Sequence, residues 1–550
     1  MNRQQHAPLL PSGLVDDFAR ASLPPREQWP ELIFELPELD YPPRLNCAAA
    51  FVDAHVAAGQ GARIALSGAE GRVSYTELLA RANRIAHVLR EDLALPTGSR
   101  VLLRSGNNPA LAAAWLGVIK AGCIAVTSMP LLRERELAAI VRKAEIAAAL
   151  CDYALADEMR RTRAASKGLR HVLYFNAPAG EPEALERLTA AKDAGFINVD
   201  SAADDVALIA FTSGTTGVPK GTMHFHRDVL AICDVLSRQI IGPRPDVVFI
   251  GTPPLAFTFG LGGLLLFPLR AGACAVLVEQ WTPETLLQGI ARHAATICFT
   301  APTFYRRMAP LAAAHDLKSL RVTVSSGEML PADTRSAWRE ATGIEMTECL
   351  GSTELLHAFI ACKPGDVRPG ATGRVVPGYR AVVLDEDGLP LPPGRIGRLA
   401  IKGPTGCRYL DDPRQTSYVR NGWNVTGDAY LVDADGYFWY QSRTDDMIIS
   451  AGYNIAGPEV EDVLLMTHPA VAECGVVGVP DQARGQIVKA FVVLRPGYAA
   501  GAATVQDLQQ LVKTTIAPYK YPRVVQFVDA LPRTENGKLQ RFKLRLGELA

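Results

Sequence analysis

Five hydroxyls, three glycines and one lysine fall within twelve consecutive residues, Phe211-Thr212-Ser213-Gly214-Thr215-Thr216-Gly217-Val218-Pro219-Lys220-Gly221-Thr222. An apolar, β-prone run, Val206 to Phe211, leads into them. The glycines open backbone conformations closed to other residues. Thr212, Ser213, Thr215, Thr216 and Thr222 add donors to the backbone N–H groups, and Lys220 adds a positive charge. Such a loop can wrap a polyphosphate. It is not a Walker loop, which needs Gly-x-x-x-x-Gly-Lys-[Ser/Thr].

Downstream sequences supply the rest of a phosphate chemistry. Gly351-Ser352-Thr353-Glu354 follows an apolar run and ends in an acid. A carboxylate beside a triphosphate is repelled unless a cation intervenes, so Glu354 is a candidate Mg²⁺ ligand and Thr353 a donor to phosphate oxygen; a helix N-cap would read the same way. Thr426-Gly427-Asp428 is expected on a tight turn between strands, where Asp428 can accept ribose hydroxyls. Arg443-Thr444-Asp445-Asp446 is a polar break, and Pro532-Arg533-Thr534-Glu535-Asn536-Gly537-Lys538 is a turn that displays a lysine.

The elements that must position these groups follow from periodicity. Ser74 with Glu77 makes a capping box, and Leu78, Leu79, Ala82, Ile85, Ala86 and Leu89 keep helical spacing behind it. Val101–Leu103 and Ile124–Val126 read as strands around a helix at Pro109–Ile119. The same rhythm returns at Ala275–Val278, Leu286–His293 and Thr296–Phe299, predicting parallel sheets flanked by helices. After about Ala371 hairpin-like strands take over: Ala381–Leu384, Gly397–Ile401 and Tyr437–Tyr440. Beyond the polar break a new α/β pattern begins, with helices at Glu459–Met466 and Val505–Thr515 and strands at Val471–Val479 and Val488–Leu494. The expected organisation is an α/β N-terminal domain over 1–445, with a β-rich subdomain at about 371–445, and a small mobile α+β domain over 446–550. The segment 178–204 reads as a loop or crossing linker.

Composition excludes other classes. Hydrophobic residues make up 48% and charged residues 21% of 550, and Lys+Arg and Asp+Glu are both 57. No basic excess points to nucleic acid or an anionic membrane. The most apolar stretch, Phe257 to Leu269, is interrupted by Gly260, Gly262, Gly263 and Pro268 and is too short to span a bilayer. The start, MNRQQHAPLLPSGLVDDF, has no secretory pattern. The ten cysteines include no Cys-x-x-Cys pair and fit a reducing cytoplasm.

The loop at 211–222 and the later motifs, in this order, resemble the adenylate-forming superfamily of acyl- and aryl-CoA ligases, peptide-synthetase adenylation domains and luciferases. The resemblance covers nearly the whole chain. It implies ATP, Mg²⁺ and CoA as co-substrates. It assigns Thr212, Ser213, Gly214, Thr215, Thr216, Gly217 and Lys220 to phosphate, Asp428 and Arg443 to ribose, and Asp445 to an interdomain hinge. Gly452 would line the pantetheine tunnel and Lys538 would be the catalytic lysine. Ser326-Gly327-Glu328 would lie against adenine and the acyl group. Gly351-Ser352-Thr353-Glu354-Leu355-Leu356-His357 and Pro254-Leu255-Ala256-Phe257-Thr258-Phe259-Gly260-Leu261-Gly262 look like benzoate-CoA ligases. They place Ala256, Phe257, Phe259, Gly327, Gly351 and His357 around an aryl acid, with an aromatic side chain stacked on its ring.

One residue departs from that pattern: benzoate ligases carry Tyr where Phe259 stands. The N-terminal run from Asp17 to Leu32 is more similar to 2-aminobenzoate-CoA ligases. The expected activity is therefore AMP-forming ligation of 2-aminobenzoate, or else benzoate, to CoA. A stand-alone enzyme loading an aryl acid onto a carrier protein is the alternative, and a homodimer is compatible with either.

Overall fold

Two sheets dominate the computed structural model, which describes residues 8–212, 219–327, 329–443, 446–450, 453–481, 484–516, 518–533 and 539–547. The first has six strands in the order His171–Phe175, Ile146–Asp152, Arg100–Arg104, Ile124–Ser128, Val206–Thr212, Lys220–Phe225. Its strands run parallel except the last, which returns antiparallel with Thr212 opposite Lys220. The second has nine strands, parallel from Met346–Gly351 through Val322–Ser325, Ile297–Thr300, Val248–Gly251 and Cys274–Val276 to Ile64–Gly68, with antiparallel strands at both edges. Parallel strands need crossovers, and helices such as Pro109–Lys120 and Pro283–Arg292 provide them.

The interior follows the same logic. Arg100–Arg104, Ile124–Ser128 and Ile146–Asp152 are buried at every residue, as strands covered on both faces must be. The Ser74–Glu77 capping box is present with both of its bonds, and Leu78, Ala82, Ile85 and Ala86 face inward. Segment 178–204 is not all loop: Leu185–Thr189 forms a short helix, anchored by buried Leu185.

By internal contacts the chain divides into two units, Met1–Ala381 with Ile401–Val425, and Val382–Ala400 with Thr426–Ala550. A third sheet is ordered Arg380–Leu384, Gly397–Lys402, Trp423–Val432, Val419–Arg420, with Phe438–Arg443 paired to Trp423–Val432. The smaller unit also holds a sheet in which Gly485–Leu494 lies beside Val471–Asp481 and Val524–Phe527. Helices Gly457–Thr467 and Ala502–Thr515 supply Val460, Leu464, Leu508 and Val512 to its core.

All ten cysteines are unpaired; nine are buried and Cys274 is half-buried. Burial disfavours the thiolate, so even the Cys274 thiol is pushed up to about 11. Among the described residues no helix is long and apolar enough to cross a membrane.

Candidate active site

Consecutive parallel strands of the nine-stranded sheet end at Gly251, Thr300, Ser325 and Gly351. Seven of the described candidates sit just past such an end: Ala256, Phe257 and Phe259 after Gly251, Gly327 after Ser325, and Thr353, Glu354 and His357 after Gly351. Thr212 closes the corresponding strand of the other sheet. The carboxyl edge of a parallel sheet is where open α/β folds place ligands, because strand ends and following loops converge there.

The strands that flank the phosphate-type loop pair antiparallel, with Thr212 opposite Lys220. Thr212 and Lys220 are its described ends. Ser213, Gly214, Thr215, Thr216 and Gly217 lie outside the described residues, as do Glu328, Asp445, Gly452 and Lys538.

Glu354 is held in place by a residue far along the chain. Tyr409 Oη donates to Glu354 Oε1 at 2.6 Å. Among the described residues no donor reaches the second oxygen. Tyr418 Oη lies 3.3 Å from Ser352 Oγ, and the ring of buried His224 places Nε2 2.9 Å from the Thr353 carbonyl. A carbonyl only accepts, so His224 carries its proton on Nε2. Burial and the nearby Arg408 push its imidazole down to about 3. None of these three partners carried a local sequence signal. Mg²⁺ in nucleotide sites takes one or two protein carboxylates and fills its remaining positions with phosphate oxygen and water. A half-buried carboxylate with one oxygen fixed and one open fits that role, and Glu354 would hold the ion.

The segment between Gly251 and the next helix is pinned from the neighbouring sheet. Asn107 donates to the Pro253 carbonyl and accepts from the Leu255 amide, and Thr127 donates to the Ala256 carbonyl. The chain then enters helical turns from Thr258 to Arg270. Phe259 does not stand alone as a platform: its ring lies 5.5 Å from Phe299 and 5.7 Å from His357, and Phe267 lies 4.7 Å from His357. Gly262 makes room for this group, because a Cβ there would come within 2.3 Å of the His357 ring. Phe257 is half-buried.

His357 is 3% exposed, and burial pushes it down to about 4, so it is a neutral imidazole. Its Nε2 points to the Phe259 carbonyl at 3.4 Å. Nδ1 is buried without a partner among the described residues. The preceding Leu356 is a buried non-glycine residue at φ 68°, a backbone conformation that only firm surroundings maintain. Gly351 packs directly against the His357 backbone, where a Cβ would come within 2.7 Å.

In the smaller unit the expected turn at Thr426–Asp428 is absent. All three residues lie inside the ten-residue strand Trp423–Val432. Asp428 stands opposite Arg443 in the antiparallel pair, and Arg443 Nη1 donates to Asp428 Oδ1 at 3.0 Å. Gly427 is a close-approach glycine: a Cβ there would come within 2.1 Å of the Arg443 guanidinium.

A separate cavity of about 660 Å³ is lined by Arg26, Trp29, Phe34, Tyr41 and Arg227 among others and contains none of these candidates.

The chain matches the AMP-binding enzyme family over residues 53–408 and the AMP-binding enzyme C-terminal domain over 459–538. It is 36% identical to the benzoate–CoA ligase of Thauera aromatica, over 92% of this chain and 97% of that one. It is 30% identical to the 3-hydroxybenzoate–CoA ligase of Aromatoleum sp. (strain CIB), over 91% and 96%. The crystal structure of the anthranilate CoA ligase AuaEII in complex with anthranoyl-AMP superposes with a TM-score of 0.85 at 32% identity, over 93% of this chain and 99% of that one. The chain thus belongs to the AMP-binding, adenylate-forming enzymes, within their benzoate-CoA ligase subgroup, and is an AMP-forming acid–CoA ligase that uses ATP, Mg²⁺ and CoA.

Proposed function

We propose that the acid is 2-aminobenzoate, activated as its acyl-adenylate and transferred to CoA, with benzoate the weaker substrate. The observation that carries this reading is the contact of His357 Nε2 with the Phe259 carbonyl at 3.4 Å, which leaves Nδ1 as the acceptor nitrogen. A neutral imidazole whose Nε2 donates to the Phe259 carbonyl leaves Nδ1 a lone-pair acceptor, closed off and without a partner among the described residues, which a shift of the ring would open to the acid. An ortho amino group offers it an N–H; benzoate offers nothing, and a buried acceptor left without a donor costs binding energy. The similarity to a ligase crystallised with anthranoyl-AMP points the same way.

The chemistry assigned to the chain's own residues is electrostatic. Lys538 would cancel the repulsion between the attacking carboxylate and the α-phosphate and orient the two oxygens. Thr212, Ser213, Gly214, Thr215, Thr216, Gly217 and Lys220 would hold the departing pyrophosphate, with Thr353 donating to a phosphate oxygen. Glu354 would hold Mg²⁺, which when bound neutralises phosphate charge. Gly327 and Glu328 would lie against adenine, and Asp428 with Arg443 would bind ribose. Gly351 would keep the acyl slot narrow, with Ala256, Phe257, Phe259 and His357 beside the ring. Asp445 is assigned as the hinge between half-reactions, dividing 1–445 from 446–550, and Gly452 as the opening for the thiol arm.

The test is AMP release scanned over benzoate, 2-aminobenzoate and 2-hydroxybenzoate, with and without CoA. The expected result is CoA-dependent turnover with the highest kcat/KM for 2-aminobenzoate, and a preference over benzoate that falls about tenfold in His357→Phe. A native preference for benzoate, or a ratio untouched by the substitution, overturns the assignment. Adenylate that CoA cannot discharge would instead support carrier-protein loading.

A further inference from the structure

Tyr409 is 1% exposed and touches both ends of the candidate phosphate machinery. Its hydroxyl donates to Glu354 Oε1 at 2.6 Å, and its ring carries the Lys220 ammonium 5.5 Å from its centroid, within reach of cation–π attraction. The ring itself is immobilised. Its backbone amide donates to Gln415 Oε1 at 2.9 Å, and Gln415 is buried and donates in turn to the Cys407 and Gln28 carbonyls. Tyr409 is also bridged to Thr222, two residues after Lys220, and meets Tyr418 edge-on at 5.9 Å. Tyr418 in turn reaches Ser352, two residues before Glu354.

We infer that Tyr409 is a positioning residue that fixes the Glu354 carboxylate and the Lys220 ammonium relative to each other, so that the metal-linked and loop-linked contacts to a nucleotide form on one rigid support. The geometry gives the phenol two separable duties. The hydroxyl orients the carboxylate, fixing one oxygen and leaving the other for a cation. The ring face supports the lysine. The inference rests on the reading of Glu354 as the Mg²⁺ carboxylate.

Equilibrium binding of α,β-methylene ATP, measured by calorimetry in Mg²⁺ and in EDTA, separates these duties without turnover. Native protein gains affinity from Mg²⁺. Tyr409→Phe keeps the ring and is expected to shrink that gain about tenfold, as for a lost hydrogen bond to a charged group, while leaving the EDTA value unchanged. Tyr409→Leu is expected to weaken binding in EDTA as well, because Lys220 loses its support. Tyr409→Phe that retains the full Mg²⁺ gain, or that loses affinity equally in both media, overturns the inference. If Tyr409→Leu does not fold, the Phe variant decides alone. Glu354→Gln is the control: if it keeps the Mg²⁺ gain, the reading of Glu354 fails; if it loses the gain and Tyr409→Phe does not, only the role of Tyr409 fails.

Discussion

Arg443 and Asp428 stand directly opposite each other on adjacent antiparallel strands, joined by a 3.0 Å bond across a glycine with no side chain to separate them. The carboxylate assigned to ribose therefore has its orientation set before any nucleotide arrives. Arg443 is half exposed, so the pair itself contributes at most about 1 kcal/mol to folding. Arg443→Ala is expected to leave the melting temperature nearly unchanged while raising the KM for ATP about tenfold. Gly427→Ala should do the same by displacing the guanidinium. A large loss of thermal stability with unchanged ATP affinity would refute this division of labour.

Lys538→Ala is expected to lose adenylate formation by two or more orders of magnitude, roughly what removal of one preorganised charge-stabilising group costs. Thioester formation from supplied acyl-adenylate should persist. Single-turnover assays of each half-reaction check this; full rates in both would remove Lys538 from the mechanism.

The Arg408 and Asp228 side chains are fully buried and bonded to each other, and Arg408 lies over the Phe225 ring at 4.0 Å. Taking one partner away leaves a buried charge uncompensated, at a cost of about 3–5 kcal/mol. Arg408→Met should lower the melting temperature sharply. The double variant Arg408→Met/Asp228→Leu should recover much of the loss, and equal destabilisation in single and double variants would show that the pair is not the cause.

Three buried histidines set an acid limit to stability. Burial holds His224 at about 3 and His226 and His357 at about 4, whereas the unfolded chain protonates them near 6.5. The unfolded state therefore binds more protons below that value, and stability is lost as pH falls from about 6.5 toward 4. Glu348 works in the opposite sense: burial lifts it to about 7, so the folded state keeps its proton where the unfolded state does not. The three histidines outweigh Glu348 and leave a net loss on acidification from these four groups, each proton counting about 1.4 kcal/mol per pH unit. Melting temperatures at pH 7.0 and 5.5 should show the fall, and His226→Gln should flatten it. A rise in stability over that interval would contradict the assignment.

Local chemistry was legible in the sequence wherever one stretch of chain makes it. The capping box at Ser74 and Glu77, the strand at Arg100–Arg104 and the helix at Pro109–Lys120 were readable because their signals lie within one or two turns. The turn expected at Asp428 is a strand instead, because glycine beside aspartate is ordinary turn chemistry, whereas Gly427 is there to admit a guanidinium from the next strand. Tyr409 and His224 stayed hidden for a related reason: their partners lie 55 and 129 residues away, and such contacts leave no periodic trace. Phe259 and His357 were readable as aromatic and polar, but their mutual packing depends on Phe267 and Phe299 from other elements.

The burial of the cysteines has a consequence for self-preservation. An enzyme that assembles a mixed anhydride and hands its acyl group to a thiol harbours an acylating agent, and any accessible thiolate of its own would compete for it. Nine sulfhydryls are shut inside the cores, and the half-exposed one, Cys274, is held protonated well above neutral pH. The protein's own thiols are thereby withheld from its intermediate, and the thiol of CoA meets no rival nucleophile of its kind.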